Sequence, residues 1–304
     1  MIHVLIQMTV LIAFGAAWRF ITPLGLEGDA TRRSVTGVVY VLFLPALVLS
    51  VLWTAPLGLD AVRTAATAAV GVICGMLLGW VASRGMGLSR AATGAMILAC
   101  GYPNTTYLGL PVLEATFGPW ARGVAIQYDL FACTPLLLTV GILIAQAHGE
   151  GQAEPPLKAL LKVPPLWAAV AAVGLNLGGV ACPEWLHGLL ALMAAGVVPL
   201  MLFSLGLGLT FESLSARRLP RLAPVVVIQL ALVPLVAWGV GTGLGLSGQM
   251  LTAVVLEGAM PSMVLGVVIC DRFRLDTGLY AAAVALTTAL SLVSLPFWFR
   301  MVGG

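Results

Sequence analysis

The sequence predicts an all-α polytopic membrane protein with ten transmembrane helices arranged as two inverted five-helix repeats. Three observations carry this expectation: the composition, the rhythm of apolar runs, and two matched interruptions rich in glycine and proline. Of 304 residues, 60% are hydrophobic and 9% are charged, with a mean hydropathy of +1.05. Soluble domains carry roughly 25% charged residues, so a protein this oily needs lipid around it.

A hydrocarbon core about 30 Å thick takes roughly 20 helical residues at about 1.5 Å each. Apolar runs near 2–20, 36–55, 60–83, 88–117 and 120–147 supply five such spans. Runs near 164–181, 185–209, 221–242, 247–270 and 277–300 supply five more. The expected division is a first repeat over 1–147, a cytoplasmic linker over 148–163 and a second repeat over 164–304. All eight tryptophans (Trp18, Trp53, Trp80, Trp120, Trp167, Trp185, Trp238 and Trp298) fall at or near proposed span ends, where an indole straddles lipid and water.

Lysine and arginine set the orientation, because positive loops stay in the cytoplasm. Twelve of the fifteen, including Arg19, Arg32, Arg33, Lys158, Lys162, Arg217, Arg218 and Arg274, lie in or beside odd-numbered connections. Both termini are therefore expected on the extracytoplasmic side of the cell membrane. The first span has no basic n-region, so it is expected to remain as a span rather than be cleaved as a signal peptide. The net charge of +3 is dispersed, which argues against a nucleic-acid partner. Cys74, Cys100, Cys133 and Cys270 sit inside apolar runs without CxxC spacing, so neither a disulfide framework nor a zinc site is indicated.

Five spans per half force the second copy of a duplicated unit to insert upside down. The halves echo one another. Pro45 with Ser50 in span 2 matches Pro199 with Ser204 in span 7, and Pro103 with Phe117 in span 4 matches Pro261 with Phe273 in span 9.

Spans 4 and 9 carry the candidate site. The run Gly101-Tyr102-Pro103-Asn104-Thr105 cannot stay helical, because proline lacks the N–H and disfavours helical geometry in the residue before it. Glu257-Gly258-Ala259-Met260-Pro261-Ser262 repeats the combination. Half-helices are expected to restart at Asn104 and Ser262, both good N-cap residues, with their amino ends meeting at the midplane. Two helix N-termini in low dielectric attract an anion, and a carboxylate is the natural guest, while freed carbonyls suit a cation.

Two acids lie well inside spans, Asp129 and Glu257, and ionised groups there usually line a wet cavity or bind an ion. Glu257 is the stronger candidate for the coupling ion, holding Na⁺ when ionised or carrying a proton. Asp129 is the second candidate, with an internal pair to Arg122 as its structural alternative. Glu114, near the outer end of span 4, is expected to be solvated. Gly71, Gly75 and Gly79 form a small-residue stripe suited to close helix packing. The sequence has no HExxH, GxSxG or Walker A pattern, so it offers no site for enzymatic chemistry.

Pro103-Asn104-Thr105 with Tyr107, Gly109-Leu110-Pro111 and Phe117-Gly118 resemble the fourth span of the auxin efflux carrier family. Ala259-Met260-Pro261-Ser262, Phe273 and the stretch Ser291 to Pro296 resemble its C-terminal end. That family includes plant PIN carriers and bacterial permeases for malate and malonate. The resemblance implies secondary transport of a small organic anion by an elevator. Spans 1, 2, 6 and 7 would form a scaffold, usually a homodimer, and the rest would carry substrate. By position it places Asn104, Thr105 and Ser262 on the carboxylate, with Tyr107 and Met263 beside them. Tyr102 departs from the plant motif, which has asparagine there, and so argues against auxin itself. Glu257 beside a broken span is also similar to the bile acid sodium symporters, which keeps Na⁺ coupling open beside H⁺. No other cofactor is expected. A membrane sensor that binds without moving its ligand is the alternative from another class, and the sequence shows no soluble output domain to favour it.

Overall fold

The computed structural model describes residues 2–55, 57–150, 155–209 and 219–303. Among them the protein is helical throughout, apart from connections and one isolated β-bridge. In sequence order the helices are α1 (Ile2–Ile21), α2 (Gly28–Thr54), α3 (Leu59–Gly85), α4 (Arg90–Gly101), α5 (Leu110–Phe117) and α6 (Ala121–His148). There follow α7 (Pro156–Leu161), α8 (Pro164–Leu177), α9 (Glu184–Gly208), α10 (Leu219–Gly243), α11 (Gly248–Gly258), α12 (Gly266–Arg272) and α13 (Thr277–Gly303). Six of these, α2, α3, α6, α9, α10 and α13, are long and apolar enough to cross a membrane, and α1 and α8 are shorter apolar helices. The protein is thus a multi-pass membrane protein. Arg217 and Arg218, used above for orientation, lie outside the described residues.

Helix boundaries follow local chemistry. The second helix begins at Gly28, well before the apolar run, because a polar first turn with Asp29, Thr31, Arg32 and Arg33 is helical although not hydrophobic. The sixth apolar run stops at Leu177 instead of 181, where Gly178 and a left-handed Gly179 (φ 63°) end the helix. Prolines inside helices leave a repeated mark. Widened π turns at Val39–Phe43, Thr105–Gly109, Asp129–Cys133 and Ile228–Leu232 each end two residues before a proline: Pro45, Pro111, Pro135 and Pro234. A proline cannot donate to the carbonyl four residues back and its ring crowds that carbonyl, so the helix takes in an extra residue there.

Packing sorts the helices into two groups. α1 lies along α9, and α2 packs on α8 and α9, while α3 packs on α4 and α10, and α13 packs on α10 and α11. Gly75 of α3 faces the Cys100 carbonyl so closely that a Cβ would overlap it, which accounts for the small-residue stripe as a packing device. In the first group, Asn176 at the end of α8 places Nδ2 3.0 Å from the Leu52 carbonyl, 2.8 Å from that of Trp53 and 2.9 Å from that of Ala55. These carbonyls end α2 without helical partners, so the Asn176 amide caps the carboxyl end of a helix other than its own. Asn176→Ala is expected to cost about 1–3 kcal/mol, the range for a buried polar group left unmade. The measurement is apparent melting temperature in detergent, where an unchanged value removes that role.

Two tryptophans depart from the interfacial expectation. Trp298 is buried and its Nε1 donates to the Leu230 carbonyl at 2.8 Å, and buried Trp53 donates to the Val180 carbonyl at 2.7 Å. The first ties α13 to α10 and the second ties α2 to the connection that follows α8.

Candidate functional site

The two interruptions face each other. α4 closes at Gly101, Tyr102 is extended (φ −117°, ψ 105°), and Asn104 leaves helical geometry (φ −83°, ψ 65°) before the backbone re-enters a π turn at Thr105. α11 closes at Gly258, and regular helix resumes only at Gly266. Pro103 and Ser262 form an antiparallel bridge. The Asn104 N–H donates to the Pro261 carbonyl at 2.7 Å and the Met263 N–H donates to that of Tyr102 at 2.9 Å. Gly101, Pro103, Gly258 and Pro261 therefore all stand at or beside the breaks, as their chemistry requires.

Surrounding helices satisfy the freed backbone. Gln229 Nε2 donates to the Met260 carbonyl at 2.9 Å, Tyr280 to that of Met263 at 2.9 Å, and the Ser262 N–H to Thr287 Oγ1 at 3.1 Å. Ser262 Oγ donates to the Ala99 carbonyl at 2.7 Å. This corrects the N-cap expectation for Ser262: the helix restarts only at Gly266, and the hydroxyl is spent on knitting the two segments together. Asn104 does hold the N-cap position of its turn, but its side chain makes no capping bond.

Against that well-bonded background, a small set of buried polar atoms has no hydrogen-bond partner. At the crossing, among the described residues, these are Asn104 Oδ1 and Nδ2, Tyr128 OH, Gln229 Oε1 and both carboxylate oxygens of Glu257, while others lie elsewhere in the protein. Asn104 is 1% exposed and Glu257 0%. Each orphaned group costs about 1–3 kcal/mol, more if charged, so such a cluster in one place points to a guest. Glu257 lies directly against Gly109, where any Cβ would overlap the carboxylate. A side chain there would have to push the carboxylate aside, and the acid of one interrupted span thereby rests on the π turn of the other. Tyr128 OH lies 3.4 Å from where a Cβ on Gly258 would stand, which brings it beside the same acid.

A cavity of about 440 Å³ adjoins the crossing. Asn104, Thr106, Tyr107 and Met263 supply the crossing's share of its wall. Asp129 and Thr134 of α6 face them, and Arg32, Arg33, Thr36 and Tyr40 of α2 complete the polar wall with Ser204 of α9. Exposed Arg33 marks where it reaches the surface. Of the residues singled out in the sequence, Asn104, Tyr107, Met263 and Asp129 line this space, whereas Thr105, Ser262 and Glu257 lie in the packed layer behind it.

The acids divide differently from expectation. Arg122 pairs with half-buried Glu114, so Glu114 is not merely solvated and Asp129 is not held by Arg122. Asp129 instead accepts from Thr106 Oγ1 and, at 3.0 Å, from Thr134 Oγ1. Sequence reasoning missed Arg32, Tyr40, Thr106 and Thr134 as cavity residues. Thr106, adjacent to the break, was the one with a local signal.

An interrupted-helix crossing beside a largely apolar cavity with a few polar groups, in a multi-pass membrane protein, suits the passage of a solute. Comparison with known proteins agrees. The family described as "Membrane transport protein" matches residues 2–299. The protein belongs to this family, that of the auxin efflux carriers. An "Uncharacterized transporter" of Methanothermobacter thermautotrophicus is 32% identical over 282 residues, 90% of the length of each protein. "Uncharacterized transporter MJ1031" of Methanocaldococcus jannaschii is 26% identical over 67% of each. "Uncharacterized transporter YfdV" of Escherichia coli is 26% identical over 69% of this protein and 68% of its own length.

Proposed function

We infer that the protein is a secondary active carrier of a small organic anion, working by elevator-type alternating access about the crossing of its broken helices. The observation that carries this reading is the buried, unpartnered Asn104 amide at the wall of a 440 Å³ cavity, on a segment that the Gly101–Pro103 break has unwound. Asn104 and Tyr107 bind the carboxylate, Met263 packs on the solute, Thr105 supplies a second hydroxyl behind Asn104, and Ser262 holds the crossing together.

Counting α4 with α5 and α11 with α12 as one interrupted span each gives ten spans. α1 to α6 and α8 to α13 are then the inverted halves, joined by a linker containing α7. The antiparallel pairing of Pro103 with Ser262 supports that symmetry. α1, α2, α8 and α9 form the scaffold and the homodimer contact, and the remaining spans move with the solute. Arg32 and Arg33 line the cavity from the beginning of α2, the end of that helix that the positive-inside rule assigns to the cytoplasm. The termini are then extracytoplasmic, in the cell membrane, and the solute site faces inward.

Glu257 is the coupling residue in this reading, and its two orphaned oxygens favour a guest ion there, either H⁺ or, in the manner of the sodium symporters, Na⁺. Counterflow in proteoliposomes tests the carrier itself. Labelled carboxylate should accumulate against excess unlabelled solute. Binding without exchange would identify a sensor, and unsaturable flux a channel.

A further inference from the structure

We propose that the solute is an amino carboxylate with an apolar body, whose ammonium group is received by Asp129. This rests on the carrier reading and changes its solute from a simple anion to a carboxylate that also bears an ammonium group. Asp129 is 7% exposed and lines the same cavity as Asn104. Hydroxyls of Thr106 and Thr134 hold its two oxygens, a donor pair that suits an ionised carboxylate. Among the described residues no cation pairs with it: the Arg122 guanidinium goes to Glu114, and Arg32, which lines the cavity, has no ion-pair partner.

An ionised carboxylate in this wall, in a cavity that Arg32 and Arg33 also line, offers a second pole beside the one that takes a carboxylate. Asp129 would attract an ammonium, and Tyr40 and Tyr107 stand in the same wall. Asn104, with its unpartnered amide, stands two residues from Thr106, whose hydroxyl donates to Asp129, so the groups for carboxylate and ammonium belong to one stretch of the wall. Leu44, Leu130 and Leu137 line much of the remaining space, which accommodates an apolar side chain.

The test uses the full-length protein in proteoliposomes and ligand pairs that differ only in the amine: leucine against 4-methylpentanoate, and phenylalanine against 3-phenylpropionate. Affinity is read by thermal shift and exchange by counterflow. The amino member of each pair should bind at least about tenfold more tightly in the wild type, the effect of one added charge-assisted bond. Asp129→Asn should erase that preference by weakening the amino member alone, and Asp129→Glu should retain part of it. A wild type that binds or exchanges the deaminated acids as well as, or better than, their amino partners overturns the proposal and leaves the anion carrier standing. If no carboxylate of either kind binds or exchanges, both readings fall. The wild-type comparison decides the matter even if the Asp129 variants do not fold.

Discussion

Asn104→Ala is expected to abolish solute exchange while leaving the protein at least as stable as the wild type. The Asn104 amide is 1% exposed and its two polar atoms have no partner, so without solute it is a cost to the fold. Replacing an orphaned amide with a methyl removes that cost, and the expected change in melting temperature is zero or upward. The solute, by contrast, loses a donor to its charged group, a bond of about 1.5–3 kcal/mol, or roughly ten- to a hundredfold in affinity. A general folding defect would lower stability and transport together. Wild-type uptake kinetics in the variant would remove Asn104 from the site.

Glu257→Gln is expected to separate exchange from gradient-driven accumulation. The carboxylate is fully buried, none of its oxygens is bonded, and Gly109 presses on it from the other interrupted span. A glutamine of the same shape neither holds Na⁺ as a charge nor carries a proton. Counterflow should therefore persist while accumulation ceases to respond to the Na⁺ or pH gradient. Glutamine keeps the shape and brings no charge into that buried space, so the variant should not melt earlier. A wild-type response to both gradients would move the coupling role away from Glu257. A Na⁺-dependent thermal shift seen in the wild type and lost in Glu257→Gln would select Na⁺ over H⁺.

How far the sequence reached depended on whether a feature was local. Apolar runs located most helices within a few residues, since burial in lipid is recorded in every residue of a span. The breaks at Gly101–Asn104 and Gly258–Ser262 were legible because proline and glycine act on their own backbone. The start of α2 was not, because a polar turn such as Asp29 to Arg33 gives no hydropathy signal. Side-chain pairing was the least accessible. Arg122 prefers Glu114 on a neighbouring helix over Asp129 on its own, and Ser262 prefers the Ala99 carbonyl over the cap it could have formed. Ser262 and Ala99 belong to distant segments, and Glu114 meets Arg122 only because the chain turns back at Gly118, so helical spacing encodes neither pairing. For the same reason α2 brings Tyr40 to the cavity of Thr106 and Thr134 without any motif announcing it.

The paired backbone bonds between Asn104 and Pro261 and between Met263 and Tyr102 constrain how this molecule can work. They button the two interrupted rods to each other at their weakest points, and the Ser262 hydroxyl on Ala99 stitches the seam alongside. Neither rod can slide past the other without undoing all of these buried polar contacts at once. In a carrier of the kind inferred above, the two would then travel as one piece.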